Sequence, residues 1–78
     1  MYYALKGIVV DVLKDSIALD VHDVTYLLLV SRSSEFHVNQ EAYVFAYEVY
    51  NENDHYLVGF SSKLEKQAFL SLIDVKGI

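Results

Sequence analysis

The chain has 78 residues, 54% hydrophobic and 14% aromatic, with no cysteine and a formal net charge of −5. This size places it near the lower limit for a self-sufficient core, so one domain supported by association with copies of itself is expected. Without cysteine neither a disulfide framework nor a thiolate metal site can form. The acidic balance argues against a free-standing nucleic-acid binder, whose affinity rests on a basic surface facing phosphates.

Strands come first. Tyr2 to Leu13 is rich in Ile, Val, Leu and Tyr and contains Gly7, which inside a strand points to a bulge or sharp bend. Ser16 to Val21 alternates, with Ile17, Leu19 and Val21 on one face. His22 and Asp23 then make a two-residue turn, since both residue types tolerate left-handed backbone better than most. Val24 to Val30 is a nearly continuous apolar strand, and residues 31–40 form a polar loop with room for one helical turn. Glu41 to Tyr50 and His55 to Phe60 are two further strands flanking an acidic turn. Five strands with short connections favour a closed barrel, which removes exposed edges.

The last segment changes period. Ser62 and Glu65 have the spacing of a capping box. Leu64, Ala68, Leu72 and Val75 follow at helical intervals, widened by Phe69 and Ile73, and this stripe is expected to pack on the barrel. Its apolar residues exceed what one side of a short helix needs, which leaves room for a partner surface. The helix should end near Val75, with Gly77 after it. The expected organisation is a mostly β protein: a barrel over 1–61, a helix over 62–76 packed on the same domain, and the chain end at 77–78.

No apolar run approaches the ~20 residues of a membrane span, and the N-terminus has no basic segment leading into an apolar region, so a cytoplasmic protein without membrane association is expected. His22, His37 and His55 lack the spacing of a metal site. The three glycines are isolated, so there is no phosphate-binding loop. No catalytic role, cofactor or metal is expected. Tyr43, Phe45 and Tyr47 share one strand face; they are expected to fill the barrel interior, with a base-stacking platform as the alternative. Glu52 and Asp54 sit at the tip of a hairpin, by default a solvated turn.

Several stretches carry more. "YALKGIVVDV", "VHDVTYLLLV", "QEAYVFAYEVYNENDHYLVGF" and "EKQAFLSLIDVKGI" together resemble, over essentially the whole chain, the N-terminal domain of the RuvA family, the Holliday-junction-binding subunits of the bacterial branch-migration machine. The resemblance implies a five-stranded OB-type barrel that helps assemble a tetramer. It also implies acidic hairpin tips, or pins, that stand at the centre of a four-way DNA junction in recombination and repair. In the family, affinity for DNA comes from helix-hairpin-helix motifs of a second domain, which would begin after Gly77-Ile78, and a third domain contacts the ATP-hydrolysing RuvB motor. The domain itself would be non-catalytic.

Carried over residue by residue, Glu52 matches the family's pin glutamate. Asn53 stands where the family has aspartate, with Asp54 immediately after it, and Asn51 stands where the family has arginine. The pin residues implied here are therefore Glu52, Asn53 and Asp54. The usual Gly-Gly-Val-Gly-Tyr after the second strand is His22-Asp23-Val24-Thr25-Tyr26, while Gly7 and Tyr26 match. Two readings stay beside this one: a free-standing barrel that stacks single-stranded bases on Tyr43, Tyr47, Tyr50 or Tyr56, and a protein-interaction module using the helix after Ser62.

Overall fold

Alternating apolar residues in short segments fold here into five strands, followed by one helix. The computed structural model describes residues 2–73. The strands are β1 (Ala4–Val12), β2 (Ser16–Val21), β3 (Val24–Leu29), β4 (Glu41–Tyr50) and β5 (His55–Phe60). A 3-10 turn at Ser33–Glu35 lies between β3 and β4, and helix α1 spans Lys63–Ile73. The strands close into a barrel in the order β1-β2-β3-β5-β4, the order of an OB-type fold. All neighbours are antiparallel except β3 and β5, which run parallel and meet only at Leu28–Leu57 and Leu29–Val58.

The core is the inward row of each strand. Val9, Ile17, Leu19, Leu28, Val44 and Ala46 are fully buried, with Leu5, Val30 and Ala42 around them. The period-2 reading of β2 holds, because Ile17 and Leu19 point inward. The turn between β2 and β3 has φ 50° at His22 and 72° at Asp23. Two consecutive positive φ values suit the right-handed twist of a two-residue hairpin. The Ser33 hydroxyl donates to the Lys14 carbonyl at 2.7 Å, which ties the polar loop to the β1–β2 connection.

Gly7 does not mark a bulge. The irregularity of β1 lies between Val9 and Asp11. At Gly7 the β2 backbone passes so close that an added Cβ would sit 2.1 Å from the Asp20 carbonyl oxygen. Backbone cannot step aside as a flexible side chain can, so the residue is required for close approach.

Tyr43, Phe45 and Tyr47 are also placed differently from expectation: they lie on the outer wall, while Ala42, Val44 and Ala46 take the interior. A five-stranded barrel is narrow, and its axis accepts Ala and Val from β4 rather than rings. The displaced aromatics pack on one another outside, with Tyr43–Phe45 and Tyr3–Phe45 edge to face at 5.2 and 5.8 Å.

Helix α1 starts as half of the expected capping box. The Glu65 N–H donates to Ser62 Oγ at 3.1 Å, but the Glu65 carboxylate accepts from the Ser61 N–H and hydroxyl, one residue earlier than the box requires. Of the expected stripe the helix seats Phe69 but not Leu64 or Leu72. Phe69 packs on Phe60 and Tyr47 at 5.1 and 5.9 Å. Lys66, only 9% exposed, lays its stem on the barrel and its ammonium 4.5 Å from the Tyr3 ring centroid, donating to the Tyr3 carbonyl at 3.3 Å. With these two residues seated, Leu64 and Leu72 turn to solvent, 75% and 77% exposed. The expected helix end at Val75 and Gly77 lies outside the described residues.

Two outcomes follow. In urea denaturation, Phe69→Ala should cost about 2–3 kcal/mol, whereas Leu64→Ala should stay within about 0.5 kcal/mol of the native protein. Gly7→Ala should cost about 3 kcal/mol through overpacking against backbone, visible as a lower thermal midpoint.

Candidate nucleic-acid interface at the β4–β5 hairpin

The ten residues of β4 have two sets of partners. Residues 41–45 pair with β1, and residues 45–50 pair with β5. Beyond Ala46, whose N–H donates to the Tyr3 carbonyl, β4 continues with β5 past the β1 side of the barrel wall; β5 keeps β3 at Leu57 and Val58, so the arm is two-stranded at its end, Val49–Tyr50 against His55–Tyr56.

A four-residue turn, Asn51 to Asp54, closes the arm. Asn51 builds it: its side-chain oxygen accepts from the N–H groups of Asn53 and Asp54 at 2.9 and 2.8 Å, and its own N–H donates to the Asp54 carbonyl at 2.8 Å. This is the local bonding that makes asparagine a turn former. Behind the turn, Tyr50 pairs with His55 across the strands, and their rings meet edge to face at 4.7 Å. His55 Nε2 is hydrogen-bonded to a Glu48 carboxylate oxygen at 2.6 Å, which fixes the imidazole against the arm.

Glu52, Asn53 and Asp54, the residues singled out in the sequence, thus sit together at the tip, and every residue from 51 to 56 is exposed. Among the described residues neither Glu52 nor Asp54 forms an ion pair. The chain has no lysine or arginine between Arg32 and Lys63, so the whole of β4, the turn and β5 carries no permanent cation. The tip therefore presents a negative field, strongest where approaching groups displace water. It offers no nucleophile–base pair, and the described residues contain no group of three or more potential metal ligands.

Two features of the arm were not read from the sequence. The family resemblance marks Asn51 only as a lost arginine, although asparagine at the first position of a tight turn is itself a signal. The Glu48–His55 bond needed the strand register, since seven residues separate the partners.

The remaining surface gives context. The outward residues of β2 and β3, Ala18, Asp20, Thr25, Leu27 and Leu29, include no aromatic ring and no lysine or arginine. No helix among the described residues is long and apolar enough to cross a membrane.

Comparison with known proteins agrees with this architecture. The family model described as RuvA N terminal domain matches residues 1–59. The chain is 41% identical to the Holliday junction branch migration complex subunit RuvA of Streptococcus pneumoniae (strain Hungary19A-6), over 80 aligned positions covering all of this chain and 41% of that protein. It is 40% identical to the subunit of the same name from Streptococcus gordonii, with the same coverage. The chain thus spans about two fifths of the length of these curated relatives. With a family match over most of its residues and relatives aligned along all of it, the chain belongs to the RuvA N-terminal domain family.

Proposed function

We propose that this chain is the junction-shaping and oligomerising domain of a Holliday-junction-binding subunit, and that the tip of its β4–β5 hairpin acts as an acidic pin at the strand crossover. The observation that carries this reading is the placement of Glu52 and Asp54, without an ion pair among the described residues, at the end of an arm without lysine or arginine. A carboxylate meeting a phosphate at about 4 Å is opposed by about 1 kcal/mol in bulk water and by more where water is excluded. Several such tips, gathered by tetramerisation around one crossover, keep backbones from settling there and hold the strands apart. Asn53 adds a polar, uncharged group to the pin, and Asp54 supplies the second carboxylate.

In this role the domain does no chemistry. Attraction to DNA comes from helix-hairpin-helix motifs, and the work of branch migration from a RuvB-type ATPase, both engaged through regions corresponding to the rest of the longer relatives. The protein acts in the cytoplasm, in recombination and repair. The names of the relatives, which place them in the Holliday junction branch migration complex, support this assignment.

The reading as a free-standing single-strand binder gains from the exposure of three of its tyrosines, Tyr43, Tyr50 and Tyr56, at 54%, 75% and 41%. It loses more on the β2–β3 wall, the usual oligonucleotide face of an OB-type barrel, which offers neither rings for stacking nor cations for phosphates.

Binding to a four-way junction and to matched duplex tests the proposal. The protein at its full natural length should select the junction, and the 78-residue chain alone should bind neither firmly. The double variant Glu52→Gln/Asp54→Asn should lose about fivefold or more of the junction-over-duplex preference, the equivalent of ~1 kcal/mol. Unchanged selectivity in that variant would remove the pin assignment. Firm binding of single strands by the 78-residue chain would favour the stacking barrel.

A further inference from the structure

Tyr50 is the most exposed aromatic residue among those described, at 75%. It flanks the acidic turn directly. Tyr3, Tyr43 and Phe45 lean edge to face on one another, and Tyr47 is covered by Phe69. The Tyr50 ring has a single aromatic neighbour, His55, at 4.7 Å and an interplanar angle of 77°. That neighbour is anchored in turn by Glu48 at 2.6 Å. A large ring is therefore held in a set direction at the end of the arm and left open to water.

We propose that Tyr50 is a nucleobase-stacking residue, whose open ring takes the face of an unpaired base at the strand crossover beside the carboxylates that repel the phosphates. This rests on the junction reading above. The chemistry of the tip selects by group. A phosphodiester meets Glu52 and Asp54 and is repelled, whereas a base presents a neutral π-face that an aromatic ring accepts whatever the sequence. Bases inside a continuous duplex have both faces occupied by their neighbours, so only a base out of the stack can use Tyr50. The loop between strands 4 and 5 borders the oligonucleotide-binding region of OB-type barrels, which is where Tyr50 and His55 stand. Because His55 and Glu48 orient the ring before any ligand arrives, little side-chain freedom remains to be lost on stacking.

The test uses the protein at its full natural length and a four-way junction carrying 5-iodouridine at the crossover, which forms an adduct with a stacked aromatic ring on irradiation. The adduct should map to Tyr50, persist in Tyr50→Phe and vanish in Tyr50→Ala. Tyr50→Leu, which keeps apolar bulk without a π-face, serves if alanine unfolds the hairpin, and it should lose the adduct too. A junction with unpaired nucleotides at the crossover should bind Tyr50→Ala about tenfold more weakly than the native protein, with duplex affinity unchanged. Junction-selective binding with no adduct at Tyr50 and no loss in Tyr50→Ala overturns the stacking role and leaves the pin intact. Absence of junction-selective binding in the native protein overturns both.

Discussion

The narrow bore of a five-stranded barrel constrains everything else in this domain. The axis is filled by Val9, Ile17, Leu19, Leu28, Val44 and Ala46, and no ring is among them. The middle of the barrel takes small or branched residues, with the rings of Tyr2, Tyr26 and Phe36 packed only against its margins, and the aromatics of β4 go outside, where Tyr43 and Phe45 pack on Tyr3 and where Tyr47 becomes a seat for Phe69. The same tight curvature draws β1 against β2 until only glycine fits at position 7, and bulges β1 between Val9 and Asp11. The helix is then oriented by what the outer wall offers: Phe60 and Tyr47 receive Phe69, and the Tyr3 ring receives the ammonium of Lys66.

Closure also determines what can project. Residues 41–45 of β4 are held by β1, Ala46 by the Tyr3 carbonyl and Tyr47 by Phe69, and beyond Tyr47 the strand pairs only with β5. Isolated two-stranded ribbons are marginal in water, so the arm depends on local bonds to keep its shape. Asn51 ties the turn to its own backbone, and the Glu48–His55–Tyr50 chain links the two strands on one face. A rigid tip matters for the proposed role, because electrostatic repulsion shapes a partner only when the charges stay in place.

Legibility from the sequence follows the range of the interactions involved. The strand limits Ser16–Val21, Glu41–Tyr50 and His55–Phe60 and the turn at His22–Asp23 depend on alternation and local backbone preference, and they were readable. Barrel closure was readable as a consequence of five short strands with exposed edges. The facing of β4 was not, because Ala42-Val44-Ala46 and Tyr43-Phe45-Tyr47 are both consistent alternating rows, and only the bore of the closed barrel decides between them. The face of α1 was legible only at Phe69, for a related reason. Leu64, Ala68 and Leu72 make the more apolar stripe, yet a cation–π seat on Tyr3 and a ring cluster at Phe60 outweigh it, and neither exists until the barrel has formed. At the tip, Glu52, Asn53 and Asp54 were placed together by simple proximity in sequence, while the bracing by Glu48 and His55 required the register.

How a chain of net charge −5 can belong to a family of DNA-junction proteins is then a question of position rather than sum. A uniformly acidic surface would exclude DNA from the whole domain. Here the β4–β5 arm, free of lysine and arginine, ends in Glu52 and Asp54, whereas Lys6, Lys14, Arg32, Lys63 and Lys66 belong to β1, the connecting loops and α1. Under the proposed role, cations elsewhere in the assembly draw the DNA arms in, and the tip then acts only on the few phosphates brought nearest to it. Repulsion confined to one point of an otherwise attractive complex costs little total affinity. It is nonetheless felt wherever a backbone tries to cross that point, as expected of a domain that shapes a junction without capturing it.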